Sequence, residues 1–237
     1  MPDEDFDLTK LADYLHLDLS QVTKLAERGK LPGRRVGGAW RFAPAAIHHW
    51  LEERIGLSDA HELARVEEAL ARDQAASDEP TISIADMLPA AAIEIPLPAR
   101  TRNSVITSIV DLAGRTGWLW DPGKMAEAVR TREDMFPTAL ETGVALLHPR
   151  RPLSNILERP FLALGVTERG LPFASRRGLL TDVFFLICST DDRGHLRTLA
   201  RLSRLLAEPS FLIALRGASS ALDAHEIIAE QERNLPN

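Results

Sequence analysis

The six residues Val183-Phe184-Phe185-Leu186-Ile187-Cys188 restrict this chain more than any others. The run is unbroken and apolar, yet far shorter than the roughly 18–20 residues a membrane-spanning helix needs. It predicts a central strand over 182–188 that is apolar on both faces. Such a strand must be covered by further layers above and below. The flanking sequence supplies them. Short apolar strands are expected at 92–95, 143–147 and 161–166. Helical spacing places Val105, Ile106, Ile109, Val110 and Ala113 on one face of a helix that stops near Gly117. It does the same for Leu196, Leu199, Leu202, Leu205 and Leu206 in a helix over about 193–207. Asp121-Pro122 reads as an N-cap followed by proline at the first helical position, starting a helix to about Arg132. A short helix around 84–88 precedes the first strand, and two more short helices are expected from Pro209 and from Ser219 or Ser220. From Thr81 onward the chain therefore reads as an α/β domain with a mixed sheet flanked by helices.

The first quarter has a different grammar. Leu8, Leu11, Ala12 and Leu15 have helical spacing behind a polar start at Asp7 or Thr9, and a break follows at His16-Leu17-Asp18. A second short helix is expected over about 20–28, with Val22, Leu25 and Ala26 inward and Gly29 as its stop. Gly37-Gly38, flanked by Arg35-Val36 and Ala39-Trp40-Arg41-Phe42, signals a two-residue hairpin turn. Pro44 then opens a helix carrying Ala46, Ile47, Trp50 and Leu51. The prediction is a small helix-turn-helix domain with a wing, in which the second helix is placed to enter a DNA major groove.

Charge divides the chain at the same places. The net charge of -6 argues against coating nucleic acid by bulk attraction. Its distribution is uneven. Residues 1–56 carry a net charge of -1, residues 57–80 one of -5, and residues 81–237 none. Within the first piece, Lys24, Arg28, Lys30, Arg34, Arg35 and Arg41 stand against the single acid Glu27, a local basic stripe of the kind that tracks a nucleic-acid backbone. The acidic middle reads as a connector helix from Ser58 to Ala76, broken by Ser77-Asp78-Glu79-Pro80. Three segments follow: a DNA-binding domain over 1–56, a linker over 57–80, and the α/β domain over 81–237.

The run "LTKLADYLHLDLSQVTKLAERGKLPGRRVGGAWRF", with its pieces "GKLP", "RVGG" and "WRF", resembles the excisionase-type helix-turn-helix domain, a MerR-like winged fold. The resemblance implies that Ser20, Gln21, Thr23 and Lys24 face bases, while Arg28, Lys30, Arg34, Arg35 and Arg41 meet phosphates or groove walls. Trp40 and Trp50 are expected in the core.

The second domain carries "ISIADMLPAAAIEI", "KMAEAVRTRED", "TGVALLHPRR", "LALGVTERGLPF" and "DVFFLICSTDDRGHLRTLARLSRLL". This series resembles the IIA domain of the fructose/mannitol and nitrogen-regulatory branch of the bacterial sugar phosphotransferase system. The resemblance implies that His148 accepts a phosphoryl group from a small phosphohistidine carrier protein of the HPr type. It gives Arg132 and His195 supporting roles, and Arg150, two residues past His148, is a further candidate. The chemistry suits these residue types. A neutral imidazole nitrogen is a nucleophile near neutral pH, and fixed cations stabilise charge spread over phosphoryl oxygens. Two departures stand out. Leu147 replaces the proline expected before the histidine, and a glycine-rich approach is here Thr138-Ala139-Leu140-Glu141-Thr142-Gly143, in which Glu141 adds a repelling charge if it faces the site.

The single cysteine, Cys188, excludes an intramolecular disulfide framework and any cysteine cluster for a metal; it reads as a small apolar packing residue. No metal or other cofactor is expected, and His16, His61 and His225 lack ligand spacing. The acidic N-terminus lacks the basic start of a signal peptide, so a cytoplasmic protein is expected. The leading reading is a bacterial transcriptional regulator of duplex DNA, acting as a homodimer, that senses phosphotransferase flux through His148. The alternatives are a phosphoryl-carrier component of a sugar or nitrogen-type chain and a docking or sensor domain that is never phosphorylated.

Overall fold

A computed structural model describes residues 5–15, 17–44, 46–47, 49–51, 82–173 and 178–235. The chain divides into two compact units, Met1–Thr81 and Ile82–Asn237. The connector helix expected over Ser58–Ala76 lies outside the described residues.

In the first unit, α1 spans Leu8–Leu15 and α2 spans Leu19–Glu27. Asp7 caps α1 by accepting the Lys10 amide at 2.8 Å. The two helices meet through Leu11, Ala12, Leu15, Val22 and Ala26, all buried. Strands β1 (Arg34–Val36) and β2 (Ala39–Arg41) form the expected hairpin. Gly37 and Gly38 have φ of 58° and 82°, which a tight two-residue turn requires and which glycine adopts without steric cost. Residues 44, 46, 47 and 49–51 are helical, with Ile47 and Leu51 buried. The sequence did not announce one feature. Phe6 and Phe42 exchange both backbone hydrogen bonds, at 2.8 and 2.9 Å, so the N-terminal segment extends the wing.

The second unit opens with α3 (Ile84–Met87) and a 3-10 turn at Ala90–Ala92. Strand β3 (Ile93–Glu94) is two residues long, shorter than the expected 92–95 because the turn takes up its start. Helices α4 (Arg102–Gly114) and α5 (Pro122–Met135) follow, capped by Thr101 and Asp121. Then come β4 (Val144–Leu147), β5 (Phe161–Pro172), β6 (Leu180–Cys188), α6 (Asp192–Leu206), α7 (Pro209–Arg216) and α8 (Ala221–Asn234). The sheet order is β3-β5-β6-β4. The outer pairs are parallel and the central β5–β6 pair is antiparallel. β5 runs six residues beyond the expected Val166 and crosses an irregularity between Val166 and Leu171. α8, with 14 residues, is a long helix where a short one was expected.

The central strand behaves as its apolar run predicts, since Val183 through Cys188 have no exposed surface. One sheet face, with Ala145, Leu147, Phe184, Leu186 and Cys188, packs with Val105, Ile109, Met125 and Val129 from α4 and α5. Period-two alternation turns Val144, Leu146, Val183, Phe185 and Ile187 to the other face, where they too are buried.

Candidate functional site

In the second unit the candidate residues gather where parallel strands end. β4 and β6 pair in parallel with Leu147 opposite Leu186, so His148 and Ser189 both emerge at the carboxyl end of the sheet. That edge is where open α/β sheets place their ligands. His195 arrives from the first turn of α6, whose amide ends carry partial positive charge. The His148 and His195 rings lie 4.9 Å apart between centroids, tilted by 57°. Both side chains are buried.

Hydrogen bonds set the chemistry of the two rings. His148 Nδ1 is 2.8 Å from the Leu146 carbonyl oxygen. A carbonyl only accepts, so Nδ1 carries the hydrogen and Nε2 holds the lone pair. His195 Nδ1 lies 3.1 Å from the Ser189 hydroxyl, which fixes the second ring. The site thus presents one imidazole with a defined nucleophilic nitrogen beside a second oriented imidazole.

The neighbouring charges differ from the simplest expectation. Arg132 is buried in the last turn of α5, and its guanidinium donates to the Phe136 carbonyl at the helix end. The adjacent Glu133 feels His148, which pulls its carboxyl back toward the charged form. Its carboxylate is wholly enclosed and accepts from the Thr138 amide at 3.2 and 3.3 Å, and from the Thr138 hydroxyl in a short hydrogen bond. Burial lifts the Glu133 carboxyl above the usual carboxylate range, against the opposing pull of Thr138, His148 and Arg102. Arg150 is exposed on the bend after His148. Glu133, Thr138 and Ser189 are the positions that reading the sequence for phosphoryl-binding cations passes over. The Arg132-Glu133 pair was the available signal.

Glu141 does not face the site. Residues 138–140 run back along β4, with Ala139 bridged to Ala145 and the Leu140 amide bonded to the Val144 carbonyl at 2.7 Å. Glu141 is therefore exposed in the turn at the opposite end of β4 from His148. The four residues of β4 lie between them, a length of about 13 Å. The altered residues 140–142 shape that remote turn, away from His148.

In the first unit, Ser20, Gln21, Lys24, Arg28, Lys30, Arg34 and Arg35 are exposed, while Thr23 and Arg41 are half-buried. Two of the residues expected to face bases are engaged locally. The Gln21 side-chain oxygen accepts the Asp18 amide at 3.1 Å, and the Thr23 hydroxyl donates to the Leu19 carbonyl at 2.7 Å. On the wing, Arg34 stands directly opposite Arg41 and Arg35 opposite Trp40. Arg35 lies over the Trp40 ring at 5.1 Å, and Trp40 stacks on Phe42 at 5.9 Å. Two like charges opposite each other repel. Here the Asp5 carboxylate meets Arg34 at 2.9 Å, showing that this face accepts an anionic oxygen.

Among the described residues no group of three or more His, Cys, Asp or Glu side chains is placed to hold a metal ion. Among them, too, no helix is long and apolar enough to cross a membrane.

Comparison with known proteins follows the same division. Residues 86–231 match the family described as "Phosphoenolpyruvate-dependent sugar phosphotransferase system, EIIA 2", and residues 6–55 match a helix-turn-helix domain family. A nitrogen regulatory protein of Bradyrhizobium diazoefficiens is 31% identical over 142 residues, covering 58% of this chain and 91% of that protein. A fructose-specific EIIABC component of Bacillus subtilis is 25% identical, over 64% of this chain but only 24% of its own length. The crystal structure of nitrogen regulatory protein IIA-Ntr from Neisseria meningitidis superposes with a TM-score of 0.55 at 21% identity. It covers 61% of this chain and 98% of that one, and it establishes the fold of the second unit.

Proposed function

The chain belongs to the phosphotransferase system EIIA 2 family and carries a helix-turn-helix domain ahead of it, and from that premise we propose a transcriptional regulator switched by phosphorylation of His148. The observation that carries the reading is the His148 ring itself. With Nδ1 held on the Leu146 carbonyl, Nε2 is the nucleophile, and His195 stands beside it. A phosphoryl group on that nitrogen adds nearly two negative charges, enough to change contacts made by the domain. A phosphohistidine carrier protein is the proposed donor. Arg132 and Arg150 are the cations proposed to meet phosphoryl oxygens.

DNA is the proposed partner of residues 1–56, with 57–80 as the connector and 81–237 as the sensing domain. The Arg34–Arg41 pair supports this part of the reading. Its mutual repulsion is relieved by an anion, and Arg35, Lys24, Arg28 and Lys30 stand exposed in the same unit. A homodimer on a two-fold site fits a DNA-binding unit this small. A second reading, a phosphoryl carrier within a nitrogen-type chain, is favoured by the relative that matches the second domain across 91% of its own length.

DNA retention across a salt series, before and after treatment with a phosphoenolpyruvate-driven carrier cascade, tests the proposal. Salt-dependent binding is expected, lost in the Arg35→Glu/Arg41→Glu double variant and altered by the cascade only while His148 is present. Binding that survives the double charge reversal overturns the DNA assignment. Phosphorylation that leaves DNA binding untouched and passes on to a transporter domain supports the carrier instead.

A further inference from the structure

Glu133 presents a physical problem that the proposed phosphorylation solves. Its side chain has no exposed surface, and a buried carboxylate is costly without a close cation. Thr138 supplies hydrogen bonds but no charge. The nearest cation from another helix, Arg102 at the start of α4, holds its Nη2 4.0 Å from Glu133 Oε2, beyond hydrogen-bond range. Arg102 spends its close contact on Asp134, at 2.8 Å. Its Nε and Nη2 are buried and make no hydrogen bond. Arg132 and Asp134 flank it on its own helix, and His148, past the end of β4 and against His195, favours its charged form. Glu133 is joined to the imidazole through Thr138. The Thr138 carbonyl accepts the Leu146 amide at 3.5 Å, and the Leu146 carbonyl holds His148 Nδ1 at 2.8 Å. An enclosed carboxyl without a close cation therefore stands next to the strand that ends in His148.

We propose that Glu133 is a charge-positioning residue for phosphoryl transfer, stabilising the imidazolium that His148 becomes as its Nε2 takes the phosphoryl group. This rests on the phosphoryl-acceptor reading of His148. The step balances simply. The Nε2 lone pair forms the new N–P bond while the donor's own P–N bond breaks and its electron pair leaves with the donor nitrogen. Nδ1 keeps its hydrogen on the Leu146 carbonyl, so the ring becomes cationic. On transfer onward, the N–P electron pair returns to Nε2 and the ring is neutral again. Glu133 is thus poorly balanced in the resting state and well balanced as the bond to phosphorus forms, which is the differential stabilisation that lowers a barrier. Thr138 aims the carboxyl, and with Arg102 it favours the charged form against the burial that opposes it.

The test uses the full chain with phosphoramidate as donor, from which ammonia departs, and follows phosphohistidine by phosphorus NMR between about pH 5 and pH 9. Wild type, Glu133→Gln, Glu133→Asp, Arg102→Met and His148→Ala are compared. At the alkaline end Glu133→Gln is expected to react about 10- to 100-fold more slowly than wild type, the effect of losing one charged partner. The gap closes as pH falls and the wild-type carboxyl takes up a proton. Glu133→Asp recovers part of the rate. Arg102→Met moves the closing of the gap to higher pH, because the carboxylate loses a cation that favours its charged form. Glu133→Gln as fast as wild type at the alkaline end, or Glu133→Asp no faster than Glu133→Gln, assigns Glu133 a purely structural role and overturns the inference alone. Absence of a His148-dependent label on wild type overturns the acceptor reading, and this inference with it.

Discussion

Replacing Gly143 by alanine is expected to cost about 2–4 kcal/mol, and the figure can be built from the surroundings of that residue. Gly143 has φ of +82°, where an L side chain costs about 1–2 kcal/mol. An added Cβ would lie 3.2 Å from the Leu180 carbonyl oxygen, part of the β6 backbone, and 2.8 Å from Arg216 Nη2. The Arg216 tip would have to leave. It would then give up its 2.7 Å hydrogen bond to the Thr142 carbonyl and its two-pronged grip on Asp182, at 2.8 Å from each partner nitrogen. Both side chains of that pair are about a third exposed, so solvent screening holds the ion pair itself to about 1 kcal/mol or less. The remainder is backbone strain and the lost carbonyl bond. For a domain of this size each kcal/mol lowers the melting temperature by about 2–4 °C, so roughly 4–16 °C is expected in calorimetry of the full chain, read in the transition of the second unit. In an Arg216→Ala background the same substitution should cost only its backbone term, about 1–2 kcal/mol. A Gly143→Ala protein as stable as wild type, or an equal loss in both backgrounds, refutes this account of the turn.

Three further outcomes are expected. Burial pushes the Cys188 thiol far above its ordinary range, so thiol reagents should modify it only as fast as the domain unfolds; rapid labelling of the native protein would contradict its packing. Glu133 has its carboxyl raised by burial in the folded state, so its contribution is favourable below the unfolded value near pH 4.3 and is lost as pH rises through the folded value. Denaturant unfolding should accordingly show wild type losing stability relative to Glu133→Gln as pH rises through that window, and a flat difference would be inconsistent with the buried carboxylate. Glu232 accepts the Ile84 and Ala85 amides at 2.8 and 3.0 Å and the Ser83 hydroxyl at 3.0 Å, and meets Arg201 Nε at 3.1 Å. Glu232→Ala should therefore cost about 2–4 kcal/mol through unsatisfied buried donors and speed hydrogen exchange at those two amides; unchanged exchange would show that the cap is not formed.

Much of the fold was legible because its elements have strong local causes. The apolar run at 183–188 could only be an interior strand, the Gly37-Gly38 pair could only be a tight turn, and Asp121-Pro122 started α5 where an N-cap and proline should. The misses have causes as well. After Val166 the chain reads Thr-Glu-Arg-Gly, a polar stretch that suggests a loop, yet pairing with β6 resumes at Leu171 and Pro172. Phe6 lies in an acidic segment without strand periodicity, and only its long-range pairing with Phe42 orders it. α8 alternates acids with alanines too evenly to advertise a buried face, and its anchor, Glu232, finds its partners nearly 150 residues away in sequence. At the site, His148 and His195 were picked out by the family that their segments resemble. Glu133 was not, because a carboxylate in a charged helix looks like solvated surface until burial is known. Trp118 and Trp120 lie between α4 and α5. The first packs edge-on against Phe161 at 5.5 Å under Arg159, and the second is exposed.

The central claim is that the ring geometry of His148 makes Nε2 a phosphoryl acceptor. Phosphorus and nitrogen NMR of the full-length protein, after exposure to a phosphoenolpyruvate-driven carrier cascade, tests it most directly. The prediction is a single phosphohistidine on His148, bonded through Nε2 with Nδ1 still protonated against the Leu146 carbonyl, and absent from His148→Ala. A phosphoryl group on Nδ1, on His195, or on neither histidine would contradict the account.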